Sequence, residues 1–378
     1  MSTACWTHLH DARDATTGSE QRERGAHTRG TEPPLTTTYS RSVDHATPPP
    51  PRLGPPLPPA APRTRVAASE LARRSPITHV RYVALATEDF AATVAFYEGI
   101  WGLYRVGGDR EVAFLGAVGS PEPFVIRVRA AQARRTDLIA FAAVDSAAVD
   151  ALAAELASDG VRLATEPGLL ASPGGGYGFR FFDPDGRLVE VSSDVAPKPF
   201  RELEIGESVP RKLSHVVIDT PDIGVLTSFY ERYFRLRLSD WLEDRMCFMR
   251  CSDDHHSLAI AHSSTAGLNH VSFEMRDIDE YMRGTGRMTR EGHGPLWGPG
   301  RHSSGDNVYS YFAGPDNFVV EYTTALEKIP DEDAWVPRVW PASGEYADRW
   351  GTAGPGEDLF ALWHRTPPDP GLWVPPPV

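Results

Sequence analysis

Apolar residues recur with two different periods along this chain, and together they predict strands that alternate with short helices. The segment 81–89 (RYVALATED) predicts a strand and the start of a helix, and the apolar residues of 90–97 then recur at three- and four-residue spacing. The segment 214–222 (SHVVIDTPD) has the same form, and it leads into a second helix over 223–230. The pattern therefore predicts mixed β and α structure from about residue 77 onward.

These two segments belong to a long internal repeat. An offset of 133 residues aligns Phe96 with Phe229 and Tyr82 with His215 without any gap. The far ends repeat as well, because 181–190 (FFDPDGRLVE) and 312–321 (FAGPDNFVVE) both predict strand, tight turn, and a strand that ends in glutamate. A repeat of roughly this length indicates duplicated domains rather than a solenoid.

Each copy predicts the order strand, helix, several strands, helix, further strands. The second helix of the first copy is predicted over Ser146–Ser158 with Asp145 as its N-cap, and its counterpart starts after the N-cap Asp277. This order is typical of an α+β fold built of βαβββ modules, whose curled sheets leave a concave face open to a ligand. We place the two domains at 76–200 and 201–326.

The two flanking segments have a different composition. Residues 1–75 are predicted to be a disordered extension, because Pro48–Pro62 contains nine prolines and few large apolar residues occur there. A wrongly chosen upstream start codon and a docking peptide are the alternatives. The segment 327–378 contains five of the nine tryptophans, and we expect it to pack on the C-terminal domain as an aromatic-anchored tail. Alternatively, this tail lines the substrate entrance or a subunit interface.

Composition narrows the class of protein. The net charge of −13 argues against nucleic acid and anionic membranes as partners, since both are negative. The sequence has neither an apolar run long enough for a bilayer nor a secretory signal, so we expect a cytoplasmic protein. Three cysteines are too few for a disulfide framework, and Cys247 and Cys251 are expected to be buried small hydrophobes rather than metal ligands.

Three polar residues of the second copy lie within apolar predicted strands. They are His215, His270 and Glu321. A single histidine in a strand is usually a core residue whose hydrogen bonds are satisfied. Three such polar residues at matching strand positions indicate that they form one site. Two imidazoles and one carboxylate form the facial triad that suits iron(II) and leaves coordination positions open.

The first copy serves as an internal control for this prediction. Opposite the three residues it has Tyr82, Glu190 and, depending on one gap, either Asp137 or Leu138. This set cannot form the triad. We therefore predict one metal ion per chain, in the C-terminal domain.

With these residues the chain resembles the vicinal oxygen chelate superfamily, and within it the type I extradiol dioxygenases such as catechol 2,3-dioxygenase and dihydroxybiphenyl dioxygenase. The resemblance covers about residues 77–325. It implies two tandem vicinal oxygen chelate domains made of paired βαβββ modules, with a metal held by His215, His270 and Glu321 of the second domain.

The resemblance also implies three catalytic residues. The segment 254–260 (DHHSLAI) places the family's catalytic histidine at His256, and 300–302 (GRH) places a second histidine, His302, near the substrate hydroxyl. Tyr311 matches the tyrosine that hydrogen-bonds the substrate oxygen. The segment 303–307 departs from well-studied catechol enzymes, so a substrate contact of Asp306 stays open, as does a role for His255 in place of His256.

The function implied is extradiol cleavage of a catechol-type diol by O2 at iron(II), within aromatic hydrocarbon catabolism. Manganese(II) suits the same ligands, and relatives commonly form homo-oligomers. One alternative is a metal-dependent isomerase or lyase of the same superfamily. The other is a small-molecule-binding resistance protein without catalysis. The isomerase or lyase has no reason for His256, His302 and Tyr311 to occur together, and resistance proteins are usually short single-repeat chains without a full triad.

Overall fold

The computed structural model describes residues 75–332, 334–352, 354–364 and 368–378. The predicted disordered extension therefore lies outside the described residues, except for Ser75. The first half consists, in order, of β1 (Ile77–Thr87), α1 (Phe90–Ala95, continued by a π-helical turn, Phe96–Trp101), β2 (Tyr104–Gly108), β3 (Val112–Gly116), β4 (Ile126–Ala130), β5 (Arg135–Ala143), α2 (Ser146–Ser158), β6 (Leu163–Leu169), β7 (Tyr177–Phe182) and β8 (Leu188–Ser193).

The second half repeats this order and adds a tail. Its elements are β9 (Lys212–Thr220), α3 (Ile223–Tyr233), β10 (Arg237–Leu242), β11 (Met246–Arg250), β12 (Leu258–His262), β13 (Gly267–Glu274), α4 (Ile278–Arg290), β14 (Trp297–Arg301), β15 (Val308–Ala313), a 3-10 turn (Pro315–Asn317) and β16 (Val319–Thr324). The tail contains β17 (Arg338–Trp340), α5 (Gly344–Ala347) and α6 (Glu357–His364).

The two halves have the same sheet topology. The strand order is β2-β3-β4-β1-β5-β8-β7-β6 in the first sheet and β10-β11-β12-β9-β13-β16-β15-β14 in the second, where β17 is added beside β10. Each half is thus a pair of βαβββ modules, which meet where β1 pairs antiparallel with β5 and β9 with β13. The predicted α+β class and the tandem duplication are confirmed.

The helices begin where the sequence predicts. Asp145 accepts a hydrogen bond from the backbone N–H of Ala148, and Asp277 accepts one from that of Glu280. Both aspartates therefore occupy the N-cap and satisfy a donor that the first helical turn leaves unpaired. No helix within the described ranges is long and apolar enough to cross a membrane.

The hydrophobic core joins both halves. Trp101 stacks on Tyr322 with ring centroids 3.9 Å apart, and the Tyr322 hydroxyl donates to the Trp101 carbonyl over 2.7 Å. Strand β9 contributes Val216 and Ile218 to this core. Because side chains alternate along a strand, His215 faces the opposite, concave side of its sheet.

The concave face of the first half is filled by its own side chains. A separate apolar cluster there includes Tyr82, Phe124, Leu138 and Phe182. Tyr82 and Phe124 are in ring contact at 4.4 Å. These rings form an apolar cluster on the concave face, whereas the matching face of the second half bears the predicted metal ligands.

The tail contacts both halves. Strand β17 pairs parallel with β10 in the second half. Further along, Asp369 accepts a hydrogen bond from the backbone N–H of Thr136, and Trp373 packs against Phe182 of the first half. The sequence predicts that the tail packs on the C-terminal domain. The last segment of the tail contacts the first domain instead, through the side chains of Asp369 and Trp373.

Candidate metal centre

Three neighbouring strands bring His215, His270 and Glu321 together. His215 lies in β9, which pairs with β13, and β13 in turn pairs with β16. The pairing of β13 with β9 is regular between these positions, with His270 opposite Val217 and Ser272 opposite His215, so the two histidines lie on the same face. All three side chains are buried, with at most 3% of each residue exposed.

The distances fit a shared cation. Glu321 Oε2 lies 3.1 Å from His215 Nε2 and 3.3 Å from His270 Nε2, and the three donor atoms all lie within 4.8 Å of one another. Two ligands about 2.1 Å from one ion and at right angles to each other are about 3 Å apart. Among the described residues, Glu321 Oε2 and His270 Nε2 are buried and have no hydrogen-bond partner. The donor set thus fits a divalent metal ion.

Neighbouring side chains orient the two imidazoles. Asn269 Oδ1 lies 2.7 Å from His270 Nδ1, and Ser214 Oγ lies 3.1 Å from His215 Nδ1. Asn269 Nδ2 in turn donates to Asp219 Oδ1 over 2.9 Å. An amide oxygen only accepts, so His270 carries its proton on Nδ1 and presents a bare Nε2, as a metal ligand must.

The protonation states also suit a cation. Burial alone would raise the pKa of Glu321, but the contacts with His215 and His270 outweigh it and hold the pKa well below its ordinary value. Burial lowers the pKa of His270, against the effect of Glu321. An ionised carboxylate beside neutral imidazoles is the state in which these groups bind metals.

The predicted acid–base histidine lies beside this cluster. The ring of His256 is 4.2 Å from the ring of His215, centroid to centroid. Burial and the neighbouring imidazoles lower the pKa of His256 well below the ordinary value, so the side chain is neutral at pH 7. His255 is also fully buried and lies directly behind His256.

His302 and Tyr311 form a hydrogen-bonded pair on the other side of the cluster. His302 Nε2 lies 2.9 Å from the Tyr311 hydroxyl, and His302 Nδ1 lies 2.7 Å from the carbonyl of Ala347 in the tail. Burial lowers the pKa of His302 to about 4. The neutral ring must donate from Nδ1 to the carbonyl, so Tyr311 donates its proton to Nε2. The ring of Tyr311 also contacts His270 edge-on at 5.0 Å.

The structure thus brings all six predicted site residues to one concave face. It does not do the same for Asp306, whose carboxylate pairs with Arg301 at 2.7 Å and also with Arg349. Three further residues were not predicted from the sequence: Asp240, Asn269 and Ala347. Asn269 lies next to a candidate ligand, which was an available signal, whereas no strand was predicted for the segment that contains Asp240.

The tail covers one side of the cluster. In α6, Leu359 is fully buried in an aromatic cluster with Trp297, Tyr309 and Tyr311. Trp363 meets Tyr311 edge-on at 5.1 Å and lies 6.0 Å from the ring of His270. These aromatic rings make an apolar wall beside the candidate metal ligands.

The corresponding positions of the first half hold no such cluster. Glu190 accepts hydrogen bonds from the Tyr82 hydroxyl at 3.0 Å and from Arg180 at 2.9 Å. Leu138 pairs with Ala84 as His270 pairs with Val217, so the strand register sets Leu138, and not Asp137, opposite His270. Asp137 instead forms buried ion pairs with three arginines, Arg127, Arg129 and Arg135.

Comparisons with known proteins agree with this arrangement. The family model described as "Glyoxalase/Bleomycin resistance protein/Dioxygenase superfamily" matches residues 77–191 and 212–322. Metapyrocatechase 2 of Cupriavidus necator is 32% identical over 201 residues, which are 48% of this chain and 62% of the relative. The match thus spans less than two thirds of that relative's length. Biphenyl-2,3-diol 1,2-dioxygenase of Paraburkholderia xenovorans is 26% identical over 70% of this chain and 94% of the relative.

Among solved structures, a manganese(II)-bound glyoxalase from Novosphingobium aromaticivorans is similar to this chain. It has a TM-score of 0.75 and 42% sequence identity, over 79% of this chain and 98% of that protein.

Proposed function

The chain belongs to the glyoxalase/bleomycin resistance protein/dioxygenase superfamily, and on this premise we propose that it is an extradiol dioxygenase that cleaves a catechol-type diol with O2. The observation that carries the proposal is the position of His256, His302 and Tyr311 around one His-His-Glu cluster. Two curated relatives bear the names of enzymes that act on aromatic diols, metapyrocatechase and biphenyl-2,3-diol dioxygenase.

We propose that His215, His270 and Glu321 hold iron(II). Manganese(II) is the alternative, since the same donors suit it and the similar glyoxalase contains it. When bound, the metal ion would supply open positions for a chelating diol and O2 and would lower the pKa of a diol hydroxyl.

The remaining residues transfer protons and orient the substrate. His256 is neutral, so it can take a proton from a diol hydroxyl and return it later in the reaction. The Tyr311 hydroxyl has His302 as its acceptor in the free protein, and on substrate binding it can donate to a diol oxygen instead. The rings of Trp297 and Trp363 border this position and limit the access of water.

In the overall reaction, both atoms of O2 enter the product. The carbon–carbon bond beside the diol breaks, and the ring opens to a chain that carries a carboxylic acid at one new end and an aldehyde or ketone at the other. No further reductant is needed, because the diol itself supplies the electrons.

The test is oxygen uptake by the metal-loaded protein. Protein reconstituted anaerobically with iron(II) is mixed with a panel of catechols in an oxygen electrode, and the products are analysed by mass spectrometry with labelled O2. We expect one O2 consumed per diol and both labelled atoms in a coloured product. Metal loading without oxygen uptake across the panel would overturn the proposal.

A metal-dependent glyoxalase-type isomerase is the second candidate. The name of the similar protein from Novosphingobium aromaticivorans favours it. Such a reaction needs a metal ion and a base but consumes no O2. The same preparation incubated with hemithioacetals under argon therefore separates the two, since only the isomerase would form product without oxygen.

A further inference from the structure

We propose that Asp240 and His255 form a positioning relay that fixes the tautomer of His256, and that strand β17 of the tail holds this relay in place. The inference rests on the proposed function, because it assigns how the acid–base histidine of that reaction is oriented. It concerns two residues, Asp240 and His255, that lie behind the candidate metal ligands.

The relay is a continuous line of buried polar groups. Asp240 in β10 and His255 are both fully buried. His255 Nε2 lies 3.2 Å from Asp240 Oδ2, and His255 Nδ1 lies 3.0 Å from His256 Nδ1. Both ring nitrogens of His255 are therefore committed to these two neighbours.

The direction of each hydrogen bond follows from the donors around Asp240. Its carboxylate also accepts from the Trp340 indole N–H at 2.7 Å and from the Arg338 backbone N–H at 2.8 Å. These two N–H donors stabilise the ionised form of the buried carboxylate, which can only accept. His255 must therefore carry its proton on Nε2 and leave Nδ1 bare.

The second link fixes His256. A bare Nδ1 on His255 accepts, so the proton of neutral His256 is placed on its Nδ1. The lone pair of His256 is then on Nε2, the nitrogen that does not face the relay. A base needs this lone pair, and the opposite tautomer would present an N–H in its place.

A glycine lets the neighbouring loop close over this contact. Gly305 has a φ of +80°, in the left-handed region that favours glycine. A Cβ at this position would lie 3.1 Å from His255 Nδ1 and 3.2 Å from His256 Cε1. The backbone of the β14–β15 loop thus packs directly on the two imidazoles and holds their mutual geometry.

The tail supplies the other support. Strand β17 pairs with β10 so that Asp240 is the partner of Arg338, and Leu242 that of Trp340. The ring of Trp335 meets His255 edge-on at 5.8 Å, and its indole N–H donates to the Ser239 carbonyl over 2.9 Å. Asp240 therefore connects the tail to the candidate acid–base group.

The first test reads the tautomer directly in the metal-free full-length protein. Two-bond proton–nitrogen correlation spectra of histidine-labelled protein distinguish Nδ1–H from Nε2–H imidazole, and His256→Gln identifies the signals. We expect Nδ1–H for His256 in the wild type. The double variant Asp240→Asn, Trp340→Phe removes the indole N–H that also points at Oδ2, so the amide can donate to His255 Nε2 from that position, and we expect His256 to shift to Nε2–H. Asp244→Asn, an exposed aspartate in the same hairpin, is the matched control and should leave the spectrum unchanged.

The second test reads the kinetics with iron(II). The double variant Asp240→Asn, Trp340→Phe should lower kcat about 100- to 10,000-fold, the range for a general base, while KM and bound metal stay close to those of the wild type. Trp340→Phe removes one donor to Asp240 and should lower kcat by a smaller factor. An unchanged kcat in Trp340→Phe would show that β17 does not hold the relay in place.

Two outcomes of the tautomer spectra would overturn the proposal. One is Nε2–H on His256 in the wild type, and the other is an unchanged tautomer in the double variant Asp240→Asn, Trp340→Phe. Because this readout needs no substrate, it stays valid if the protein proves inert toward catechols. In that case the proposed function is wrong, and the tautomer spectra alone decide whether the relay exists.

Discussion

Replacing Glu321 with glutamine should abolish the stabilisation of the protein by divalent metal, whereas the same change at Glu190 should not. The two glutamates occupy matching strand positions of the duplicated halves. Glu321 faces two imidazoles at 3.1 and 3.3 Å. Glu190 is already neutralised by Arg180 at 2.9 Å. Only Glu321 should therefore require a metal ion to compensate its negative charge.

The expected size follows from ligand linkage. A metal ion at 100 times its Kd stabilises the folded state by about 2.7 kcal/mol. The described part of the chain extends over about 300 residues, for which the unfolding entropy is roughly 0.6 kcal/mol per degree. The rise in Tm is therefore about 4 °C. If the neutral amide weakens binding about a thousandfold, the same metal concentration yields a shift of about 0.1 °C.

The assay is anaerobic differential scanning calorimetry with and without iron(II), repeated with manganese(II). Glu190→Gln weakens contacts to Arg180 and Tyr82, so we expect a lower Tm than the wild type in both conditions. The difference between its two conditions should still be about 4 °C. A full shift in Glu321→Gln, or its loss in Glu190→Gln, would refute the assignment of the metal to the second half.

Three further predictions concern residues around the site. Asn269→Ala removes the acceptor of His270 Nδ1, so isothermal titration should show metal affinity about 10- to 100-fold weaker, with an unchanged circular dichroism spectrum. Asp219→Asn should flatten the pH dependence of stability between about pH 4 and 7 in urea unfolding. Burial raises the pKa of Asp219 from 3.8 to about 7, so the folded wild-type protein binds an extra proton in that window and loses stability as the pH rises through it. An equally steep pH profile in Asp219→Asn would contradict this assignment. Tyr311→Phe should lower kcat about 100- to 1,000-fold in oxygen-uptake kinetics, because it removes one oriented donor and leaves His302 Nε2 without its partner. A kcat within a factor of about two of the wild type would exclude such a role for Tyr311.

The duplicated fold could be predicted from sequence because its signals are local. Strand alternation, the aspartate N-caps and the Pro-Asp turns recur at offsets of 133 to 131 residues, so the match needs no knowledge of long-range contacts. The residue opposite His270 was left open between Asp137 and Leu138. Strands β1 and β9 match at an offset of 133 residues (Tyr82 with His215), whereas β5 and β13 match at 132 (Leu138 with His270), so one residue is missing between them. Only the pairing of the strands shows where that residue is lost.

The relay and the tail could not be predicted in the same way. Asp240 contacts Trp340 across 100 residues of sequence and His255 across 15. The hydrogen bond of His302 to the Ala347 carbonyl involves a backbone group, which carries no residue signature at all. Periodicity places a side chain on a face of its own element, but it does not say which distant segment covers that face.

The difference between the two halves reduces to the partner of one buried carboxylate. In the first half, Glu190 is the strand partner of Arg180, and the guanidinium provides the positive charge that a buried glutamate requires. In the second half, the partner of Glu321 at the same register is Tyr311, which brings no charge. The nearest groups, His215 and His270, are imidazoles that are neutral when they act as metal ligands, so the carboxylate has no permanent cation of its own. Tyrosine in place of arginine at this register thus brings Glu321 no positive charge, which a divalent metal ion would supply, and places a hydroxyl instead of a guanidinium beside the candidate metal ligands.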